Sequence, residues 1–450
     1  MSEKVRSGIR GSWQAGVLIV PLVFRSLIGG AQVSEATIDT LPRIASQEEV
    51  VVPHVYRSAP GHAEKNRLQV EASGLYDSNA LRNDLVSGMR RGDVLSEDLR
   101  RTTQDELKGN NRAGYALDFR VSYAWGDSLF GDGSIRPTVS IGHHDAMGVR
   151  FADDLYDLTF FGNTQFENKT ASLGGTAFTQ ITYQTFGFGF QGTTTNSFLR
   201  LELVNGQRMN SATLRKADLF TATDGRFLQL DLDGSYARSD TASSSFGTSS
   251  GLGLALSAAV EKPIMLFGTK GSFRISVTDL GFVAWNGNAQ RIVNNSTIRY
   301  EGIEVDNIFD LDGVVLNQAE LQDTIGLSYS TGAFSQLLPT KLEARIRTNR
   351  RTSGAYVYPN TYIWELVIDQ RNLPGYAPLI MLTRSFWSER QLKAEVSLSH
   401  GGFGGTRVGI GAMWLASPSF IVGLRIPNII GPLSGSGHGA AVLLGIDVAL

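Results

Sequence analysis

The 450-residue chain contains no cysteine, which excludes a disulfide framework, a thiolate metal site and thiol chemistry. Neither sign of charge dominates, because the formal net charge is only −2. That balance gives no indication of nucleic-acid binding or of a polybasic membrane patch. No apolar run reaches about 18 residues, the length needed for a transmembrane helix. The chain does contain 50 glycines, and its mean hydropathy is −0.07. A mean near zero is expected of a barrel, because the hydropathies of its apolar exterior and polar interior cancel.

The one aliphatic run of note occupies residues 15–24, after a segment with basic residues between positions 4 and 10. The small residues Gly29–Ala31 follow it. This order is typical of a secretory signal peptide, and the run is too short to cross a bilayer as a helix. We therefore predict a signal peptide over residues 1–31 and export to the outer membrane of a Gram-negative cell. A buried or amphipathic N-terminal helix is the alternative interpretation.

The most informative stretch runs from Tyr115 to Trp125, where odd positions are mainly aromatic or aliphatic and even positions small, polar or charged. Successive side chains on a strand point to opposite faces, and about 9–11 tilted residues cross a bilayer as a strand. The pattern predicts a membrane-spanning strand with odd positions facing lipid. Tyr115 at one end, and Tyr123 with Trp125 at the other, are the predicted interfacial aromatic residues. A half-buried strand of a secreted soluble sandwich would alternate in the same way.

Comparable alternation recurs to the C-terminus, with aliphatic residues on one face of each segment and charges on the other. A Lys or Arg facing lipid near the bilayer midplane costs roughly 2–4 kcal/mol, whereas a watery lumen accepts it. We predict an all-β fold, an antiparallel transmembrane β-barrel of about 14 strands over residues 68–450. The predicted lumen-facing residues are Asp118, Arg120, Arg200, Glu202, Asp231, Asp233, Lys341, Glu343, Arg345, Arg347, Lys393, Glu395 and Asp447.

Loop lengths near the C-terminus support a barrel. Short turns are predicted at residues 387–391 and 416–418, and a long Gly, Ser and Pro loop at 427–437. If the C-terminus is periplasmic, the short turns are periplasmic and the long loop is external, which is the asymmetry of outer-membrane barrels. The sheet must also close, because an open edge in lipid would leave backbone groups unpaired.

Two segments depart from the strand pattern. Residues 32–67 contain three prolines and are predicted to be irregular. Residues 78–108 place leucines at helical spacing, for example Leu81 and Leu85, and predict one or two amphipathic helices. The sequence leaves open whether these helices plug the lumen or lie at its periplasmic mouth.

No residues are predicted to be catalytic, to bind a cofactor or to bind a metal. His143 and His144 are adjacent, so on a strand they point in opposite directions and make a poor ligand pair. The one G-x-S-x-G match, Gly247–Gly251, is followed by an alternating strand pattern and not by the helix that a nucleophile elbow requires. The lumen residues carry both signs of charge, whereas a selective pore typically shows a ring of one sign. The sequence thus favours an internal network of paired charges.

The C-terminal part resembles a known family. The segments that carry the resemblance are Leu321–Thr324, Phe334–Leu342, Thr278–Asn286, Ser399–Phe403, Gly409–Gly411 and Pro427–Gly431. They are similar to uncharacterised exported barrels that occur alongside type IX secretion and gliding components, and that are distantly similar to long-chain fatty-acid transporter barrels. The resemblance covers residues 68–450. This chain has Arg425–Asn428 where members often have Thr-Asp-Asn, and its segment 32–67 is longer than expected.

The resemblance implies no catalytic residues. The function we expect is a non-enzymatic accessory or scaffold barrel for secretion or motility components of the envelope. Its partners would be the lipid bilayer, envelope proteins and, during biogenesis, the outer-membrane assembly machinery. One alternative is a porin-like or fatty-acid-transporter-like channel for a small or lipidic solute. A secreted soluble β-sandwich that binds a partner is the other.

Overall fold

The computed structural model describes residues 66–126, 134–193, 195–240, 246–266, 268–301, 330–349, 362–387, 392–417 and 419–450. The predicted signal peptide lies outside the described residues, and so does the segment 32–67 apart from its last two positions. The motif Leu321–Thr324 also lies outside them.

The strands are β1 (Arg67–Ser78), β2 (Asn111–Ala124), β3 (Ile135–Phe151), β4 (Lys169–Ser172), β5 (Ala177–Gly192), β6 (Phe198–Thr221), β7 (Leu228–Arg238), β8 (Gly251–Leu266), β9 (Thr269–Trp285), β10 (Gln290–Tyr300), β11 (Ser330–Thr331), β12 (Phe334–Leu337), β13 (Lys341–Asn349), β14 (Tyr362–Arg371), β15 (Ala377–Trp387), β16 (Leu392–Gly402), β17 (Thr406–Ser417), β18 (Phe420–Asn428) and β19 (Ala440–Ala449).

Fourteen of these strands form a closed antiparallel ring in the order β1, β2, β3, β5, β6, β8, β9, β13, β14, β15, β16, β17, β18 and β19. The ring closes because β1 pairs with β2 along one edge and with β19 along the other. The predicted barrel and its strand number are confirmed. A soluble sandwich, whose two sheets remain separate, is the wrong fold for this chain.

The two ends of the barrel differ. Arg67 pairs with Ala449, so the first and last strands meet at one end, which we call the terminal end. Short connections lie there, including the turn between β17 and β18. The opposite end, which we call the loop end, carries the long connections, including the one between β18 and β19. The loop asymmetry that the sequence predicts is present.

A sheet extension projects at the loop end. Strand β6 is 24 residues long, and its first part pairs with β8 while its second part pairs with β7. Strand β10 then pairs with β7. Strands β7 and β10 therefore continue the sheet beyond the ring and do not line its lumen.

The α-helices of the described residues are α1 (Asn83–Arg91), α2 (Glu97–Asp105), α3 (Asp153–Phe161) and α4 (Ile430–Leu433). Helices α1 and α2 lie within the predicted helical segment 78–108. The side chain of Leu85 packs with Phe151 and Tyr156, so α1 joins α3 on the rim of the loop end. The helices thus lie at the end opposite the termini, not at the terminal end. Among the described residues, no helix is long and apolar enough to cross a membrane.

The outer wall of the ring carries a belt of exposed apolar side chains. Leu201, for example, is 59% exposed. Its members include Phe119, Ile141, Phe186, Leu201, Leu254, Ile275, Leu342, Ile368, Leu382, Val396, Ile410, Leu424 and Leu444. Soluble monomers rarely expose a contiguous apolar patch larger than a few hundred Å². A belt that continues around a ring is the surface of a barrel in lipid.

The closed lumen as candidate functional site

A cluster of charges crosses the middle of the lumen. The Arg120 guanidinium on β2 lies 3.4 Å from the Glu202 carboxylate on β6 and 3.6 Å from the Asp279 carboxylate on β9. Arg200 lies 3.3 Å from the same Glu202 carboxylate. The Tyr183 hydroxyl donates a 3.1 Å hydrogen bond to Asp279. Glu202 has no exposed surface, so side chains rather than water surround it on this side of the lumen.

A second cluster follows β13 and β14. Lys341 lies 2.9 Å from Glu343 and 3.0 Å from Asp369. Arg345 donates a 3.0 Å hydrogen bond to Glu343, and Arg347 donates a 2.6 Å hydrogen bond to Glu365. The cations of β13 lie beside carboxylates of β13 and β14, so each of these charges in the low-dielectric interior is close to an opposite charge.

Further pairs lie nearer the terminal end. Fully buried Lys393 forms an ion pair with Glu395, and Arg425 donates a 2.6 Å hydrogen bond to Glu395. Asp447 accepts a 2.7 Å hydrogen bond from Arg67. The predicted lumen residues of the ring are therefore brought together as paired charges of both signs.

Asp118 is paired differently, because its partner is His144. The Asp118 carboxylate lies 2.8 Å from Nδ1 of His144, and the His144 ring stacks on Tyr183 at 4.8 Å. Within the described residues, no group of three or more His, Cys, Asp or Glu side chains could hold a metal ion.

Two of the predicted lumen residues are elsewhere. Asp231 and Asp233 lie on β7, which belongs to the sheet extension and not to the ring. Asp233 forms an ion pair with Arg215, and Asp231 lies 3.8 Å from Lys216. Their lumen assignment is wrong because strand alternation alone does not show whether a strand belongs to the ring or extends beyond it.

The predicted interfacial aromatic residues lie at opposite ends of β2. Tyr123 and Trp125 are at the terminal end and contact each other edge to face at 5.2 Å. Tyr115 is at the loop end, where its hydroxyl donates a hydrogen bond of 3.1 Å to Asp145 and accepts one of 2.5 Å from Gln180. Arg384, which the sequence analysis did not single out, lies 4.8 Å from the Trp364 ring. An arginine over an exposed tryptophan fits a membrane interface.

Apolar side chains also cross the lumen, nearer the loop end. Ile181 and Tyr183 on β5 pack against Val283 and Trp285 on β9. All four are almost completely buried. Apolar side chains therefore fill this part of the lumen.

Three side chains close the loop end, and we call Leu373, Tyr376 and Phe403 the lid. Leu373 and Tyr376 lie in the connection from β14 to β15, and Phe403 in the connection from β16 to β17. All three form one buried cluster with Ala146 of β3. In the ring of fourteen strands, β14 and β15 are six and seven positions from β3, so the lid crosses the full width of the barrel. Arg112 fixes it with hydrogen bonds of 3.1 and 2.9 Å to the carbonyl oxygens of Phe403 and Gly404.

Glu71, Glu365, Asp369 and Asp279 also face the lumen and are not among the predicted residues. The first three lie on the polar faces of β1 and β14. The alternation of these two strands could therefore have predicted them. Asp279 is different, because it lies beside a register shift in the pairing of β9 with β8 and has a positive φ of 55°. Simple parity does not predict the face of a residue at such an irregularity.

The fold and the lumen define a closed antiparallel barrel with a lipid-compatible outer wall and an interior of paired charges. The chain belongs to the family of unknown function DUF5723, whose model matches residues 82–418. None of the curated proteins matches it.

Among solved structures, the chain is similar to the toluene transporter TodX of Pseudomonas putida, with 8% identity, 88% of this chain and 95% of that chain covered, and a TM-score of 0.36. It is also similar to the translocator domain of the autotransporter NalP from Neisseria meningitidis, with 8% identity, 86% and 88% coverage, and a TM-score of 0.30. The toluene transporter TbuX of Ralstonia pickettii gives 8% identity, 86% and 90% coverage, and a TM-score of 0.33. At these values the likeness carries no functional argument.

Proposed function

We propose that this protein is a non-enzymatic barrel of the Gram-negative outer membrane whose lumen is closed to bulk solutes. It serves as an accessory or scaffold barrel for envelope components, such as those of secretion or motility. The observation that carries this proposal is the set of contacts across the lumen, from the Arg120 cluster to the lid. The Arg120 cluster fills one side of the lumen and the lid lies across its loop end, which supports a lumen closed to bulk solutes and a function carried by the surfaces.

The loop end supplies a surface for partners. Leu433 of α4 is 86% exposed, and Val94 between α1 and α2 is almost fully exposed. Both lie on the rim, outside the apolar belt of the ring. Exposed apolar residues above a membrane surface support protein contact there.

Two measurements test the barrel itself. Detergent-extracted protein should migrate faster unboiled than boiled on a gel, because a closed barrel resists unfolding by detergent. In planar bilayers the purified protein should give no stable current. A large, stable current would contradict the closed lumen.

A site-specific test addresses the scaffold role. A photo-crosslinking amino acid at position 433 should capture a discrete envelope protein in intact cells. The same amino acid at position 201, in the apolar belt, is the matched control and should capture none. Equal capture at both positions would contradict docking at the rim.

A gated channel for a small or lipidic solute is the second candidate. The lid favours it, because the loop end is closed by two short connections rather than by a separate domain. Under this function, replacing Leu373 and Phe403 by alanine should produce a current that the native protein lacks. The Leu433→Ala variant, which alters only the rim, is the control.

A further inference from the structure

An arginine lies on the outer, lipid-facing wall of the barrel. Arg384 is in the same row of β15 as Leu382 and Phe386, which are 42% and 52% exposed. It is also in register with two exposed residues of the neighbouring strands, Trp364 of β14 and Val396 of β16. Because successive side chains of a strand alternate between its faces, Arg384 points away from the lumen. A cation on this wall is unfavourable near the bilayer midplane, and the cost falls toward the interfaces.

The position of Arg384 along β15 brings it near the terminal end. The strand begins beside the lid and ends at Trp387, so Arg384 is three residues, about 10 Å along the strand, from that end. Exposed aromatic residues mark the same end of other strands, among them Trp125, Trp414 and Phe420. Aromatic residues of this kind lie at the membrane interface. The short connections of the terminal end correspond to the periplasmic side of an outer-membrane barrel.

Two aromatic rings hold the guanidinium group of Arg384. Its Cζ atom lies 4.8 Å from the centre of the Trp364 ring and 5.7 Å from the centre of the Phe386 ring. Phe386 is two residues closer to the terminal end than Arg384, so the guanidinium points toward that interface. The aliphatic stem can stay on the apolar wall while the charged head reaches the interface. Attraction to the two rings restrains the cation before any ligand arrives.

The described residues provide no counter-charge for this guanidinium. Among them, Arg384 makes neither a hydrogen bond nor an ion pair. Glu365, the carboxylate next to Trp364 in the sequence, faces the lumen and accepts a hydrogen bond from Arg347. Arginines of the lumen such as Arg120 lie beside carboxylates. Arg384 therefore differs from them, because it presents its N–H donors to the surrounding membrane.

We propose that Arg384, Trp364 and Phe386 form a binding site for the phosphate group of a phospholipid in the leaflet next to the terminal end. A planar guanidinium can donate two parallel hydrogen bonds to phosphate oxygens. Leu382 lies two residues nearer the midplane, where it would contact the acyl chains of the same lipid. The site thus offers a cation at the height of the headgroup and an apolar wall below it. This proposal needs a barrel in a bilayer, but it does not depend on a closed lumen or on a scaffold role.

The test compares a phospholipid with the same lipid lacking its phosphate. The purified barrel in an uncharged detergent is titrated with dioleoyl phosphatidylglycerol and, separately, with dioleoylglycerol, and native mass spectrometry measures the bound lipid. Phosphatidylglycerol should bind about tenfold more tightly, as expected for hydrogen bonds between charged groups. Excess inorganic phosphate should not displace it, because the free ion lacks the acyl chains that contact the wall.

Substitutions assign this preference to the site. Arg384→Gln should remove the preference, whereas Arg384→Lys, which keeps the charge but not the planar fork, should retain part of it. Trp364→Leu should weaken phosphatidylglycerol binding roughly 2–5-fold. The matched controls are Trp414→Leu, on β17 three strands away, and Arg90→Gln, at an exposed position of α1. Both should bind like the native protein, and heat-modifiable gel mobility verifies that each variant is folded.

The proposal is overturned if the native barrel binds phosphatidylglycerol no more tightly than dioleoylglycerol, or if folded Arg384→Gln keeps the preference. It is also overturned if Trp364→Leu binds as Trp414→Leu does. Displacement by inorganic phosphate would indicate a free-anion site instead of a lipid site. A second copy of the barrel that binds in place of the lipid, and is lost in Arg384→Gln, would indicate a protein contact instead.

Failure of this proposal is distinguishable from failure of the proposed function. A native protein without heat-modifiable mobility contradicts the barrel itself. A heat-modifiable barrel without the phospholipid preference refutes the lipid site alone. A barrel that conducts ions and still shows the preference refutes the closed lumen alone.

Discussion

The Phe403 ring covers Gly114 so closely that any side chain at position 114 would overlap it. A Cβ atom added at Gly114 would lie 2.3 Å from two carbon atoms of the ring and 2.6 Å from the Met147 carbonyl oxygen. Gly114 on β2 thus serves as the seat of the lid. Position 114 requires glycine because the Phe403 ring lies so close to it, and not because of its backbone conformation.

Gly114→Ala should displace Phe403 and destabilise the barrel by roughly 1–3 kcal/mol, the usual range for overpacking. Urea unfolding in detergent measures the stability, and ¹⁹F NMR of fluorophenylalanine at position 403 reports the movement of the ring. The added Phe403→Ala change should recover part of the loss, because the two residues are in contact. Gly74→Ala, whose Cβ would lie 3.5 Å from Leu117, is the control and should change little.

Arg120→Met should destabilise the barrel by about 3–5 kcal/mol, because it leaves the Glu202 and Asp279 carboxylates in the lumen without their shared cation. Urea unfolding again measures the effect. Arg101→Met removes an exposed pair with Glu97 on α2 and should cost less than about 1 kcal/mol. Equal losses in the two variants would show that the lumen is wet at the Arg120 level.

Leu201→Arg should reduce the free energy of folding into lipid by roughly 2–4 kcal/mol, because it places a cation in the apolar belt. Reversible folding into phospholipid vesicles measures this. Leu433→Arg makes the same substitution at an exposed rim position and should have little effect. If the two variants fold equally well, the belt does not face hydrocarbon.

The stability of the first turn of α1 should depend on pH. Asp84 accepts hydrogen bonds of 2.8 Å from Arg82 and from the Leu85 amide. Burial acts to raise the pKa of Asp84, but these donors outweigh it, so the pKa lies below its ordinary value. A lowered folded-state pKa means that the stabilisation is complete above the ordinary value, near 3.9, and is lost as the pH falls through the folded value.

Hydrogen-exchange protection of α1 should therefore be constant from neutral pH to about 5 and fall in more acidic solution. Asp84→Asn should lower the protection at neutral pH and remove most of its acid dependence. Asp98→Asn, in the first turn of α2, is the control. Acid dependence that survives in Asp84→Asn would assign it to another group.

The alternation of Tyr115–Trp125 and of residues 341–347 was sufficient to predict membrane-type strands and their polar faces. The period of two is a property of the strand itself, so it is visible before any strand has a partner. Spacing of leucines likewise predicted the helices near Leu85. The same local rules could not show that α1 packs with α3 on the rim, because that contact joins residues far apart in sequence.

Strand alternation together with loop lengths thus predicted the fold class, the strand number and the charged face of most strands. Only the tertiary structure decided that Asp231 and Asp233 lie beyond the ring, that turns rather than helices close the loop end, and that the Phe403 ring lies over Gly114. These features depend on which strands lie opposite each other across the barrel. Which strands face each other is set by the closure of the whole sheet, and no local pattern of residues encodes it.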